Sequence, residues 1–120
     1  MLTSLTPMLE TKDLSGTKEF YVSTLNFEVD GYDESFGWMS LKKDNISIMF
    51  AKPNEHRIIP ESIMSGSLYI NADNVDDLWE NLKDKTKVCY PIETFDYGMR
   101  EFAIFDNNGY LLQFGKSIKD

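Results

Sequence analysis

A chain of 120 residues is one domain's worth of polypeptide and should bury roughly two-thirds of its unfolded surface around one core. Its composition, 42 % hydrophobic and 27 % charged, fits an ordinary soluble globule, and no apolar run is long enough to span a bilayer. The net charge of −8, with a pI near 4.6, excludes the basic face of a nucleic-acid binder and argues against attraction to an anionic membrane.

The first ten residues have neither the basic flank nor the apolar core of a signal peptide. Residues 5–10 read as a strand. Pro7 inside it cannot donate to a ladder, so an edge strand or a crossover between subunits is expected. Asp13 is placed to cap a helix reaching Leu25, with Leu14, Thr17, Tyr21 and Leu25 near helical spacing and a weakness at Gly16 and Thr17. Residues 26–30, 36–41 and 46–51 read as three strands, the last two joined through Lys43, Asp44 and Asn45. Residues 52–66 hold Pro53 and Pro60, lack periodicity, and mark a boundary. The order then repeats. Residues 67–72 form a strand, Asp73 or Asn74 caps a helix, and Val75, Leu78, Trp79 and Leu82 make its apolar stripe. Residues 87–93 form another strand, and a terminal hairpin follows, residues 100–105 and 110–114 hinged on Asp106-Asn107-Asn108-Gly109. Cys89 is the lone cysteine, which excludes an intramolecular disulfide and agrees with a cytoplasmic setting.

The predicted fold class is therefore α+β, two paired βαβββ modules. Module one covers about residues 1–52, the linker about 53–66 and module two about 67–118. Each module lays a helix on one face of its sheet, and the opposite faces are expected to curve around a cleft. A ferredoxin-like βαβ arrangement is the competing topology.

Alternation assigns the faces. Ile46, Ile48, Phe50, Met39, Leu41, Leu68, Ile70, Leu112 and Phe114 belong to the helix-packed side. The other side then carries Ser47 and Met49, Phe36, Trp38 and Ser40, Ser67, Tyr69 and Asn71, and Leu111 and Gln113. That mixture of aromatic and apolar groups with a few orienting polar ones suits a small-molecule pocket. Trp38 and Phe36 either wall the pocket or close a dimer interface. Tyr97, beside Gly98, either lines it or caps the hairpin. Trp79 is assigned to the core, and Arg100 and Glu101 to a structural ion pair.

The element order, D-L-x-x-x-x-x-F-Y from Asp13 to Tyr21, L-N-F at Leu25 to Phe27, and Y-G-M-R-E-F-A-I-F-D-N-N-G-Y-L-L-Q-F from Tyr97 to Phe114 resemble the vicinal oxygen chelate superfamily. This is the glyoxalase, bleomycin-resistance and dioxygenase grouping. The resemblance spans nearly the whole chain, making residues 1–120 a single domain of that type, and is strongest to the bleomycin-resistance branch. Residues 2–13 and Gly98 to Ala103 carry that branch's pattern, with Met99 inserted relative to the more usual G-R-E-F-A. The resemblance implies a divalent metal held by cleft-facing His and Glu, at positions that here are Thr6, Ser47 or Met49, Ser67 and Gln113. None is His, Asp or Glu, and the single histidine, His56, lies in the linker. No metal and no other cofactor is therefore expected.

The resulting expectation is a metal-free binding protein that sequesters a small molecule. By resemblance the ligand is a bleomycin-type antibiotic, cationic with a flat heteroaromatic part, so the protein would confer antibiotic resistance. Phe36, Trp38, Met49 and Tyr97 would wall the cleft, Ser47, Ser67 and Gln113 would orient the ligand, and Asp30, Asp33 and Glu34 would be rim charges. No catalytic residue is assigned. By resemblance Pro7 would be the hinge of a strand-swapped homodimer. The alternative is a vicinal-oxygen-chelate enzyme acting on a small metabolite, with Glu10 and Glu101 as acid–base groups, or an orphan binder of the same fold.

Overall fold

The computed structural model describes residues 1–53 and 63–118, and the segment holding His56 and Pro60 lies outside the described residues. The chain divides into two compact units, Met1–Ser62 and Ile63–Asp120. Each contains one βαβββ module, as the sequence predicts.

In module one, β1 is Met8–Glu10, shorter than expected because Pro7 lacks a backbone donor. The Pro7 carbonyl still accepts from Met49 N at 2.9 Å, so pairing begins at the proline. Helix α1, Leu14–Glu19, continues into a π-helical turn at Phe20–Thr24. The expected cap is present: Asp13 Oδ1 accepts from Gly16 N at 2.9 Å. Gly16, a weak helix former, is there for room, since a Cβ would collide with the Asp13 carboxylate. Thr17, the other weak point, is buried and its hydroxyl bonds that of Thr11 at 2.8 Å. Both low-propensity residues thus serve the helix start.

Strands β2 (Glu28–Asp33), β3 (Trp38–Lys43) and β4 (Ile46–Ala51) form an antiparallel meander, and β1 joins β4 in parallel. The order β1-β4-β3-β2 puts β1 at an edge, where proline is tolerated. Strand β2 starts and ends later than predicted, and β3 starts two residues later. Phe36 is consequently not a strand residue. It sits in the turn before β3, 84 % exposed. The cause is Asp33, whose Oδ1 accepts from Ser35 N, Ser35 Oγ and Phe36 N, closing a turn that Gly37 completes with φ of +66°. The core is as predicted for Met39, Leu41, Ile48 and Phe50, which are buried together with Tyr21. Edge-on contacts link Tyr21 to Phe50 at 5.0 Å and to Phe27 at 5.5 Å.

Module two repeats this plan. Strand β5 is Leu68–Asn71, α2 is Val75–Leu82, β6 is Lys87–Thr94, β7 is Met99–Phe105 and β8 is Leu111–Ser117. Its order, β5-β8-β7-β6, mirrors that of module one, and β5 is again parallel to the last strand. This pattern, with the first strand at an edge and parallel to the last, displaces the ferredoxin-like alternative. Val75 and Leu82 are buried, and Trp79 lies half-buried against Phe102 at 5.3 Å. The closing hairpin turns through Gly109 at φ of +85°. Its organiser is the buried Asp106, whose Oδ1 accepts from Asn108 N and Tyr110 N at 2.9 and 2.8 Å. No helix among the described residues is long and apolar enough to cross a membrane.

Candidate functional site

Module two leaves the face opposite α2 to polar and aromatic side chains. Register puts Glu101 of β7 beside Gly115 of β8, Ala103 beside Gln113, Gln113 beside Tyr69 of β5, and Tyr90 of β6 beside Ala103. These residues share one side of the pleat. Glu101 is the centre of that side and is only 1 % exposed. Its Oε1 accepts from the Tyr97 hydroxyl at 2.5 Å and from the Tyr69 hydroxyl at 3.2 Å, and its Oε2 accepts from the Tyr90 hydroxyl.

The chain of bonds continues. Gln113 Nε2 donates to Tyr90 Oη at 2.9 Å, and Ser67 Oγ donates to Gln113 Oε1 at 2.5 Å. Three phenols, from β5, β6 and the β6–β7 turn, therefore converge on a single carboxylate of β7, and Gln113 of β8 and Ser67 just before β5 extend the network. Two features of the backbone make this possible. Gly115 has no Cβ, and one placed there would collide with Tyr69 Oη and lie 2.6 Å from Cζ, so the glycine is the gap through which Tyr69 reaches across β8. Gly98, at φ of +89°, closes the β6–β7 turn with its N–H on the Phe95 carbonyl at 3.0 Å, which sets Tyr97 above the sheet. The Tyr97 ring stacks on Phe95 with centroids 5.4 Å apart and planes 4° apart, and Phe95 meets Tyr90 edge-on at 5.7 Å.

The phenols respond to this setting. Burial, then the hydrogen bond to Glu101, pushes Tyr90 up to about 12 from an ordinary value of 10.0. Tyr97 is raised mainly by its bond to Glu101, and Tyr69 by burial and by the same carboxylate's charge. All three are neutral donors near neutral pH.

Of the predicted site residues, Ser67, Gln113 and Tyr97 join this network. The expected Arg100–Glu101 ion pair does not form. Neighbours in a strand point to opposite faces, and Arg100 instead pairs with Asp76, two nitrogens each 2.9 Å from Oδ1. In module one, register and alternation place Trp38, Ser47 and Met49 on one face, the side away from α1. The Trp38 ring lies over Gly31 of β2, where a Cβ would stand 3.0 Å from it. The rim charges divide. Asp30 is paired with Lys42 at 3.6 Å, and Asp33 is committed to its turn, whose hydrogen bonds, Ser35 first, lower its pKa. Glu34 lines a small surface pocket with Lys12, Tyr32 and Lys52. Phe36 is on the turn. Sequence reasoning did not combine Glu101 with Tyr69, Tyr90 and Phe95. The available signal was a carboxylate in mid-strand on the same side of the pleat as Gln113.

A metal does not fit the positions at which the resemblance would place its ligands. Thr6, Ser47 and Ser67 offer hydroxyls, Met49 a thioether and Gln113 an amide, none a good ligand for a hard or borderline divalent ion. Ser67 and Gln113 are also committed to one another. Among the described residues no group of three or more His, Cys, Asp and Glu could hold a metal.

The model of the Glyoxalase/Bleomycin resistance protein/Dioxygenase superfamily matches residues 5–114. Similar solved structures include a bleomycin resistance determinant encoded on the transposon TN5, at 20 % identity and a TM-score of 0.76, covering 97 % of this chain and 98 % of that one. A lactoylglutathione lyase from Agrobacterium tumefaciens matches at 17 % identity and a TM-score of 0.73, covering 95 % and 92 %. A glyoxalase/bleomycin resistance protein/dioxygenase from Alicyclobacillus acidocaldarius matches at 15 % and 0.78, covering 98 % and 93 %. At these identities the likeness shows the fold alone. No curated protein sequence is significantly similar to the chain.

Proposed function

Because the chain belongs to the Glyoxalase/Bleomycin resistance protein/Dioxygenase superfamily, we propose that it is a metal-free member that binds and sequesters a small molecule. The observation that carries this reading is the bonded chain Ser67–Gln113–Tyr90–Glu101. At two of the positions where the superfamily's enzymes would hold a metal, Ser67 and Gln113, this protein has neutral side chains bonded to each other. Each module by itself carries an aromatic group on its helix-free face that suits a flat ligand, Trp38 in module one and Tyr97 in module two, and Met49 on the Trp38 face is an adaptable apolar wall. A bleomycin-type antibiotic is the candidate ligand, supported by the name of the TN5 determinant and by a net charge of −8 that would steer a cation.

An enzyme using Glu101 as a base is disfavoured by the same geometry. Both carboxylate oxygens already accept phenol protons, and the group is buried beneath them. The test is to titrate bleomycin into chelator-treated protein and follow tryptophan fluorescence. A saturable quench without metal is expected. Stoichiometric metal that survives mild purification and is lost in Gln113→Ala would overturn the reading.

A further inference from the structure

We propose that the tyrosine face of module two binds a small organic cation carrying N–H donors, a protonated amine or amidinium, with Glu101 as its buried countercharge. This inference rests on the small-molecule reading above and names the charge and hydrogen-bonding class of the ligand.

The first argument is charge. Glu101 is buried, and among the described residues its partners are three phenol hydroxyls with no cation among them. Its neighbour Arg100 is on the opposite face with Asp76. Hydrogen bonds hold the anion in place but do not cancel its field, and that field is weakly screened where water is excluded. A buried carboxylate without a countercharge is costly unless something supplies one.

The second argument is donor accounting. A phenol has one proton to give. Tyr69 and Tyr97 both give theirs inward to Glu101, so what remains facing outward is oxygen lone pairs and ring faces. Tyr90 also donates inward, and its oxygen is taken by Gln113. The Ser67 hydroxyl is spent on Gln113 as well. The face can therefore accept hydrogen bonds and offers few of its own. A carboxylate or phosphate ligand would find few donors and a buried negative charge. A protonated amine or amidinium would find acceptors, π faces and an opposite charge.

The third argument is access. The carboxylate is buried, yet Tyr97 is 61 % and Tyr69 40 % exposed. A ligand would therefore rest on the rings and phenol oxygens, with Glu101 acting through them. Phe95 stacks in parallel against Tyr97, which steadies that exposed ring as a platform for a flat cation.

Benzamidine and benzamide test this, since they share a ring and a shape and differ in charge at neutral pH. Each is titrated into the full chain and followed by amide chemical shifts in two-dimensional NMR. Benzamidine should bind at least about tenfold more tightly than benzamide, with the largest shifts at and around Tyr69, Tyr90 and Tyr97. Glu101→Gln should bring the two probes to within about twofold of each other by removing only the charge. Tyr97→Ala should weaken benzamidine at least about fivefold. Tyr97 is exposed, so this variant and the wild-type preference decide the matter even where Glu101→Gln fails to fold. Equal affinity of wild type for the two probes, or shifts centred elsewhere, would overturn the proposal. Metal-independent saturation by bleomycin alongside no preference for benzamidine would overturn the cation site alone and leave the small-molecule reading standing.

Discussion

Replacing Gly115 by alanine probes how the site is assembled. An alanine in mid-strand normally stabilises relative to glycine by about 0.5–1 kcal/mol, because the unfolded chain loses freedom. Here the new methyl would occupy the space of the Tyr69 hydroxyl end. Tyr69 is 40 % exposed and can swing outward, so the cost is less a core clash than the loss of its bond to Glu101. A hydrogen bond to a charged group is worth about 1.5–3 kcal/mol, and one 3.2 Å long on a half-exposed ring belongs at or below the lower end. The two effects oppose each other and the second should win, giving net destabilisation of about 0.5–1 kcal/mol. The assay is urea unfolding of wild type, Gly115→Ala, Tyr69→Ala and the double variant, compared at a common slope. In the Tyr69→Ala background the glycine change should be neutral or stabilising, for a coupling of about 1–2 kcal/mol. Equal cost in both backgrounds, or a stabilised Gly115→Ala in the wild type, would refute the idea that this glycine exists to pass Tyr69 across β8.

Four further outcomes are expected. The Tyr90 phenol, raised from 10.0 to about 12, contributes stability that is complete below pH 10 and is lost as the pH climbs to about 12, so wild type should lose stability across that window more steeply than Tyr90→Phe. Glu101→Gln should let tyrosine absorbance titrate earlier, and an unchanged titration would sink the assigned cause. Trp38→Ala should weaken bleomycin binding by roughly ten- to a hundredfold if stacking and cation–π contact contribute about 1–3 kcal/mol, and raised salt should weaken it further. A bleomycin affinity indifferent to both changes would remove Trp38 from the site. Light scattering should report twice the 13.9 kDa chain mass, since a three-residue edge strand preceded by Pro7 and the exposed Met1, Leu2 and Leu5 is suited to exchange with a second copy. A monomer at micromolar concentration would reject the swap.

Local chemistry was enough to determine the order of elements in this protein. The twofold βαβββ pattern, the bounds of Ile46–Ala51, the Asp13 cap and the stripe on α2 all follow from periodicity and cap residues a few positions apart. The errors came where a side chain rewrote the backbone locally. The carboxylate of Asp33, expected as a rim charge, also closes the turn that carries Phe36 out of β3. Sequence also identified Gln113 and Ser67 as facing the same way, because strand alternation alone assigns a face. What it could not supply is the meeting of Tyr69, Tyr90 and Tyr97 on Glu101, from partners 32, 11 and 4 residues away. That convergence depends on β5 lying beside β8 rather than β6, on the register that sets Gly115 opposite Glu101, and on the empty space where Gly115 lacks a side chain. Strand order and cross-strand register are set by packing between segments distant in the chain, so a carboxylate that reads as half of a surface ion pair becomes a buried centre only when the sheet closes around it.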